Sequence, residues 1–370
     1  MTERPTFGVG LMSGTSLDGM DAALVRCVDP THIELLAFVS RAYAPEEREA
    51  ILAALRDGGA AALARLHVQV ADWAADAIDA VLATGRVAAS ELAFIAMHGQ
   101  TVWHEPGLVS WQLGEPAVLA ERFGRPVVSN FRARDVAAGG EGAPLVPIAD
   151  VLLFGAVDGP RTLLNLGGMA NLTWVPRRAV DDGLVAFDTG PGVAVIDAIA
   201  RLVDPSLPYD RGGDLAAMGM VHEGVLSELL ADPFFRQPPP RSTGRERFGE
   251  AYARALHDRV PGADGVATAV ALTARSIADA VERFVPKGGD LVASGGGVHH
   301  PGLMRALAME LERRGRPAPT RFDDVFFDGD AKEAVAFALL GYLTLHGQPG
   351  NVPRATGATG PRVLGSVTPP

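Results

Sequence analysis

Four short turns rich in small residues hold much of what could do chemistry in this chain. They span 13–19, 167–171, 190–192 and 295–297, and each follows an apolar run that reads as a buried strand. Such turns let backbone N–H groups converge on an anion, so phosphate binding is the chemistry they suggest. The familiar phosphate loops do not account for them. No Gly-Lys-Ser/Thr occurs, which excludes a Walker-type loop. Gly8-Val9-Gly10-Leu11-Met12-Ser13 stops one glycine short of the dinucleotide fingerprint and leads into a strand. The Gly-x-Ser-x-Gly elbow of hydrolases is absent. The alternative is that these are ordinary tight turns, but their placement after strands is where α/β folds gather ligands.

Carboxylates near the turns are the acid–base candidates: Asp18, Asp21, Asp188 and Glu333. Asp188 closes a predicted strand just before Gly190-Pro191-Gly192, so it suits a base beside a phosphate; the competing reading is a helix N-cap. For Glu333 the residues alone favour a capping box with Asp330 at the head of the last helix, and Thr243 with Glu246 has the same spacing. Arg132 and Arg134 could grip an anion or form a solvated surface pair. His299-His300 has no partner at metal-ligand spacing. Trp103 and Trp111 could stack on a sugar, although the pattern favours a core hairpin.

The elements that must position these residues read in two halves. The first has strands over 7–11, 20–27 and 33–43, helices over 46–56 and 60–82, a strand over 92–97 ending in His98-Gly99-Gln100-Thr101, a hairpin over 103–113, a helix over 115–123 and a strand over 126–129. The second has strands over 162–166, 171–175 and 184–187, helices over 193–203, 223–230, 245–259 and 266–284, a strand over 291–293 and a helix over 301–313. A helix over 330–345 and a Gly/Pro-rich tail, expected to run extended over the surface, complete the chain. The order of elements repeats without detectable identity, which suggests a duplicated α/β fold.

Composition sets the outer bounds. The 370 residues carry a net charge of -11, which disfavours nucleic acid, and no apolar run approaches the length of a membrane span. The single cysteine, Cys27, excludes an intrachain disulfide framework, and with no visible targeting segment the expectation is a cytoplasmic protein.

The stretch Leu11-Met12-Ser13-Gly14-Thr15-Ser16-Leu17-Asp18-Gly19-Met20-Asp21 resembles the opening of the anhydro-N-acetylmuramic acid kinase family. The likeness runs nearly end to end. It continues through His98-Gly99-Gln100-Thr101, Asn165-Leu166-Gly167-Gly168, Phe187-Asp188-Thr189-Gly190-Pro191-Gly192, Ser242-Thr243-Gly244-Arg245-Glu246, Gly295-Gly296-Gly297 and Lys332-Glu333-Ala334. The chain departs from the family pattern at Val193, Gly249 and His300, where the family usually has Asn.

The resemblance implies a two-lobed, duplicated actin-like ATPase of ribonuclease H-like fold with a central cleft. One lobe would comprise 1–135 and 330–370, the other 136–329. It implies ATP and Mg²⁺ as cofactors and a small amino sugar as partner, with no nucleic acid and no membrane, and it is compatible with a homodimer. Asp188 would be the general base and Glu333 the residue orienting the sugar. Ser13, Gly14, Thr15, Ser16, Leu17, Asp18, Gly19 and Met20 would cradle phosphates, with Gly167, Gly168, Gly190, Gly192, Gly295, Gly296 and Gly297 on the other side of the nucleotide. Asp18 and Asp21 would lie near the metal, and His98, Gln100, Arg132 and Arg134 near the sugar.

Overall fold

The computed structural model describes residues 5–14 and 17–370. They form two units, one comprising residues 1–153 and 331–370, the other 154–330.

In the first unit β1 (Thr6–Ser13), β2 (Gly19–Asp29) and β3 (His32–Ala42) form an antiparallel meander. β4 (Leu92–Glu105) joins β1 in parallel, β5 (Val109–Leu113) folds back on β4, and β6 (Val127–Ser129) joins β4 in parallel. In the second unit β7 (Arg161–Leu166), β8 (Met169–Val175) and β9 (Val185–Pro191) repeat the meander. β10 (Asp290–Ser294) joins β7 in parallel and β11 (Thr320–Arg321) joins β10 in parallel. The orders β3-β2-β1-β4-β6 and β9-β8-β7-β10-β11 are the same, with matching directions. That repeated order matches the ribonuclease H-like fold that the resemblance implies, and the fold class is α/β.

Alternation along β1 explains its glycines. Val9 and Leu11 face a core shared with Val70, Ile78 and Val81 of the helix Ala60–Gly85. Gly8 and Gly10 face the other way. A Cβ on Gly10 would stand 2.0 Å from the Ala334 carbonyl oxygen, and one on Gly8 would enter the Phe94 ring. In the pattern that falls short of a dinucleotide fingerprint, Gly8 therefore makes room for Phe94 of β4 and Gly10 for the last long helix, Lys332–Leu345. That helix is apolar on nearly all sides and buried from Ala334 to Leu343, as an interior helix must be. Gly341 repeats the device against Ala96 of β4. The second unit has its own core, built on the helix Ala263–Phe284 with β7, β9 and β10.

The tail differs from the expectation of a surface strap. Asn351, Val352, Thr356 and Leu364 are buried, and β12 (Ser366–Thr368) pairs antiparallel with β6. This Gly/Pro-rich segment is tied to the rest of the first unit by side chains and backbone: Asn351 Nδ2 and Thr356 Oγ1 each donate to the buried Asp135 at 2.8 Å, and Thr359 N donates to the Ala138 carbonyl at 2.9 Å. The 103–113 hairpin forms, but Trp103 and Trp111 are 59% and 46% exposed, so it is not a core hairpin. No helix of the described residues is long and apolar enough to cross a membrane.

Candidate active site

In the first unit the ends of β1 and β4 are locked together. Ser13 Oγ donates to Gln100 Oε1 at 2.5 Å and lies 2.7 Å from the Tyr43 hydroxyl. Gln100 Nε2 donates to the carbonyls of Gly14 at 3.3 Å and Thr101 at 3.2 Å. Burial pushes the Tyr43 phenol up to about 12, so it stays protonated and available to this network. Ser13 and Gly14 are thus held by side chains that are themselves buried.

Beside this lock lies a charged cluster. Arg132 opens the short helix Phe131–Ala137. It donates through Nε to His98 Nε2 at 2.9 Å and through Nη1 to the Gly142 carbonyl at 2.9 Å. A guanidinium only donates, so His98 Nε2 accepts and its proton sits on Nδ1. Burial and the Arg132 charge hold His98 well below the ordinary histidine range, so the ring is neutral. Burial lowers Arg132 to about 10, against the pull of the Glu333 and Asp135 carboxylates.

Glu333 stands in the first turn of the final helix. Its surface is open to solvent, yet the protein crowded around it disfavours the charged form and raises its pKa. The Lys332 and Arg132 charges oppose that rise and Asp21 adds to it. The expected capping box is not formed. A single 3-10 turn over Gly329–Ala331 precedes the helix, and Ala331 is the cap. Lys332 points elsewhere, pairing with Asp150 at 2.9 Å.

In the second unit three glycine turns meet at one end of the sheet, because β7, β9 and β10 run the same way. The Gly167 carbonyl accepts from Val193 N at 2.9 Å, and the Gly168 carbonyl from Gly192 N at 2.9 Å and Ala194 N at 3.1 Å. A Cβ on Gly192 would stand 2.1 Å from the Gly167 oxygen. Gly295, at φ +87°, approaches Asn165 so closely that a Cβ would lie 2.5 Å from its Oδ1. Gly296 by contrast has open space around it.

Asp188 lies within β9, so it is not a helix N-cap; the next helix, Ala194–Val203, is capped by Val193. Its Oδ2 accepts from Thr243 N at 2.7 Å. Arg241 brackets its backbone: Asp188 N donates to the Arg241 carbonyl at 3.0 Å, and Arg241 Nε to the Asp188 carbonyl at 2.8 Å. The Arg241 guanidinium sits 4.9 Å from the centre of the Phe234 ring and 5.0 Å from that of Phe187. Burial pushes the Asp188 carboxyl up to about 6; Thr243 N and the Arg241 charge restrain the rise, and Glu246 adds to it. A partly buried carboxyl poised there can take a proton near neutral pH. Thr243 and Glu246 do not form a capping box, since the following helix is Glu250–Arg259 with Gly249 as its cap.

Residues 6–370 match the family model for anhydro-N-acetylmuramic acid kinase. The chain belongs to the anhydro-N-acetylmuramic acid kinase family. The protein of that name from Xanthomonas campestris pv. campestris is 41% identical over 378 residues, covering 100% of this chain and 98% of that one. Its counterpart from Streptomyces avermitilis is 44% identical over 374 residues, covering 98% and 94%. Among solved structures, the activator of 2-hydroxyisocaproyl-CoA dehydratase from Clostridium difficile aligns with TM-score 0.44 at 12% identity, covering 90% of this chain and 93% of that chain.

The residues proposed for a member of this family fall into distinct settings. His98, Arg132, Glu333 and Asp21 influence one another in the first unit; Asp188 and the turns at 167–168, 190–192 and 295–297 belong to the second. Ser13, Leu17 and Met20 are buried. Gln100 is fully buried, with its amide engaged by the turn it supports. Asp18 is exposed, and its carbonyl accepts from Tyr43 N at 3.0 Å. Thr15 and Ser16 lie outside the described residues. Arg134 is exposed and lines a different recess from Arg132. No group of three His, Cys, Asp or Glu side chains among the described residues could hold a metal by itself. Mg²⁺ commonly takes one or two carboxylates and completes its shell with phosphate and water, and Asp18 and Asp21 offer carboxylates of that kind. His300, one of the departures, is buried and bonded to Asp210 at 3.1 Å. A Cβ on Gly249, another departure, would lie 2.2 Å from the Arg245 carbonyl oxygen.

Sequence reasoning missed Arg241, Tyr43 and Asp135. Each acts through contacts more than a dozen residues away in sequence, and no spacing rule signals them.

Proposed function

We propose that this chain is an ATP-dependent kinase that hydrolytically opens 1,6-anhydro-N-acetylmuramic acid and phosphorylates O6, giving N-acetylmuramic acid 6-phosphate for cytoplasmic recycling of cell-wall peptidoglycan. Family membership over residues 6–370 carries the reading. The setting of Asp188 supports its chemical part: a carboxyl pushed up to about 6 and aimed by one backbone N–H.

In this reading Asp188 takes a proton from a water as the water oxygen bonds to C1. The C1–O6 bond breaks and its electron pair goes to O6; O6 bonds to the phosphorus of the γ-phosphoryl group as the bond from that phosphorus to the β–γ bridging oxygen breaks and ADP leaves, and Asp188 then gives its proton to solvent. Bound Mg²⁺-ATP supplies that phosphoryl group and neutralises charge developing on it. The turn at 13–20 serves the phosphates in the first unit, with Asp18 and Asp21 on the metal side. The turns at 167–168, 190–192 and 295–297 serve the rest of the nucleotide in the second. Glu333 orients the sugar by hydrogen bonding, and Arg132, fixed by neutral His98, offers its charge to the lactyl carboxylate. Gln100 acts as a positioning residue for the 13–19 turn.

Incubation with Mg²⁺-ATP and the anhydro sugar in ¹⁸O-water tests the reading. A phosphorylated product carrying heavy oxygen at C1 before anomeric exchange is the expected outcome. A phosphorylated product that keeps its anhydro ring would instead mean that an ordinary sugar hydroxyl is the acceptor.

A further inference from the structure

A second recess in the first unit shares no residue with the charged cluster. It measures about 650 Å³ and opens between the helix Phe131–Ala137 and the C-terminal segment, within the usual size range of metabolite sites. Arg134 contributes from the helix and Arg362 from the tail. Ala133, Ala137, Gly139 and Gly365 also line it, and their small size keeps it open. Gly365 cannot be replaced freely: it sits at φ +82°, and a Cβ would stand 3.0 Å from Val128.

Its electrostatics run against those of the whole chain. The net charge is -11, yet among the described residues no carboxylate lines this recess. Several arginines elsewhere pair with acids, as in Arg41–Glu47 at 2.7 Å, Arg161–Asp290 at 2.8 Å and Arg275–Glu223 at 2.7 Å, while Arg132 and Arg241 are held by a histidine or by carbonyls. Arg134 and Arg362 have no ion pair among the described residues. Arg362 is nonetheless held: its backbone N donates to Asn351 Oδ1 at 2.7 Å, and its Nη2 to Thr359 Oγ1 at 3.2 Å.

We propose that this recess binds a phosphomonoester, a small metabolite whose phosphate is gripped by Arg134 and Arg362 while its body rests on the small-residue floor. Two guanidinium groups match a phosphate dianion in charge, and their planar forks match its oxygens. A lone carboxylate would satisfy half of that charge. The location gives the site a consequence. The helix that presents Arg134 outward also carries Arg132 and the buried Asp135, to which the tail is tied. A ligand bridging Arg134 and Arg362 joins the two segments that hold Arg132 in place.

The test uses the full chain saturated with Mg²⁺ and a non-hydrolysable ATP analogue, so that the nucleotide site is filled. Glucose 6-phosphate is titrated by calorimetry, with glucose and inorganic phosphate alongside. Expected is one saturable binding event for glucose 6-phosphate, absent for glucose and weaker for inorganic phosphate. Arg134→Ala or Arg362→Ala should weaken it about tenfold or more, and the double variant should abolish it at an unchanged melting temperature. Binding should also weaken from pH 7.5 to 5, as the phosphate loses its second charge. No saturable binding up to about 10 mM, or binding indifferent to the double variant, would overturn the proposal. Inorganic phosphate binding as tightly as the ester would overturn the metabolite class.

Discussion

In the first unit the strand ends are occupied by side chains: Ser13 against Gln100, Arg132 against His98, Glu333 on a helix that returns from the far end of the chain. In the second unit the corresponding ends are occupied by backbone, with the Gly167 carbonyl accepting from Val193 N, the Gly168 carbonyl from Gly192 N and Ala194 N, and the Asp188 carboxylate in the neighbouring strand. One sheet order therefore supports two kinds of surface. The charged one suits a polar sugar, which needs several directed hydrogen bonds. In the proposed function, the one built of close-packed backbone takes the rest of the nucleotide, while the phosphates go to the 13–20 turn of the first unit. The same strand order thus carries different groups at its ends in the two units, and substitutions in the two are expected to differ in their kinetic consequences.

The largest expected effect falls on the second unit. Asp188→Asn should lower kcat by roughly 10²–10⁴-fold, the usual worth of a general base, with KM for the sugar little changed. In the parent enzyme the acid limb of the rate profile should titrate near pH 6, because the base must be unprotonated. Stability moves oppositely. The folded pKa lies above the ordinary value of 3.8, so ionisation works against the fold. The stabilising share is complete below about pH 4 and gone above about pH 6. Asp188→Asn should thus melt higher than the parent at pH 8 and level with it at pH 4. A variant with near-normal turnover would break the assignment of the base to this unit.

On the first unit the corresponding change is Arg132→Ala, which should raise KM for the sugar about tenfold or more and leave kcat closer to normal. It should also let the His98 pKa climb, since one of its two depressing influences is removed; proton NMR of the ring would follow this. If kcat falls as far as it does for Asp188→Asn, the division of labour between the units is wrong.

Two glycines sharpen the comparison at the level of packing. Gly10→Ala drives a methyl into the Ala334 carbonyl and Gly192→Ala drives one into the Gly167 carbonyl. Each should cost roughly 1–3 kcal/mol, as overpacking does. The first should displace the helix bearing Glu333 and weaken sugar binding; the second should disturb the turn network and weaken nucleotide binding. Calorimetric titration of each ligand against each variant would expose a crossed pattern.

Much of this was legible in the sequence. Buried strands and the small-residue turns after them have local signatures, so both meanders and most helices could be read directly. Asp188 stood out because a strand end precedes a Gly-Pro-Gly turn. Glu333 did not: its residue spacing argued for a helix cap, and only the resemblance argued for a role in the site. The cap fails because a 3-10 turn shifts the helix start to Ala331, and no pattern in the sequence announces that shift. The meaning of Gly10 was likewise hidden, since the helix it accommodates lies more than 300 residues along the chain.

The smallest effect concerns how the first unit is closed. It is assembled from two separate stretches of chain, whereas the second is continuous. Asp135 is the rivet: its Oδ1 accepts from Asn351 and Thr356, and its Oδ2 from Gly142 N at 2.9 Å. Thr356→Val keeps the shape and removes one of these bonds, which should cost about 1–2 kcal/mol for a bond to a buried carboxyl group. Hydrogen exchange should show the loss in peptides from β6, β12 and the helix Phe131–Ala137, with the second unit unchanged. Equal loss of protection in both units would mean that the tail stabilises the molecule as a whole, and the contrast between a discontinuous and a continuous unit would then carry no energetic weight.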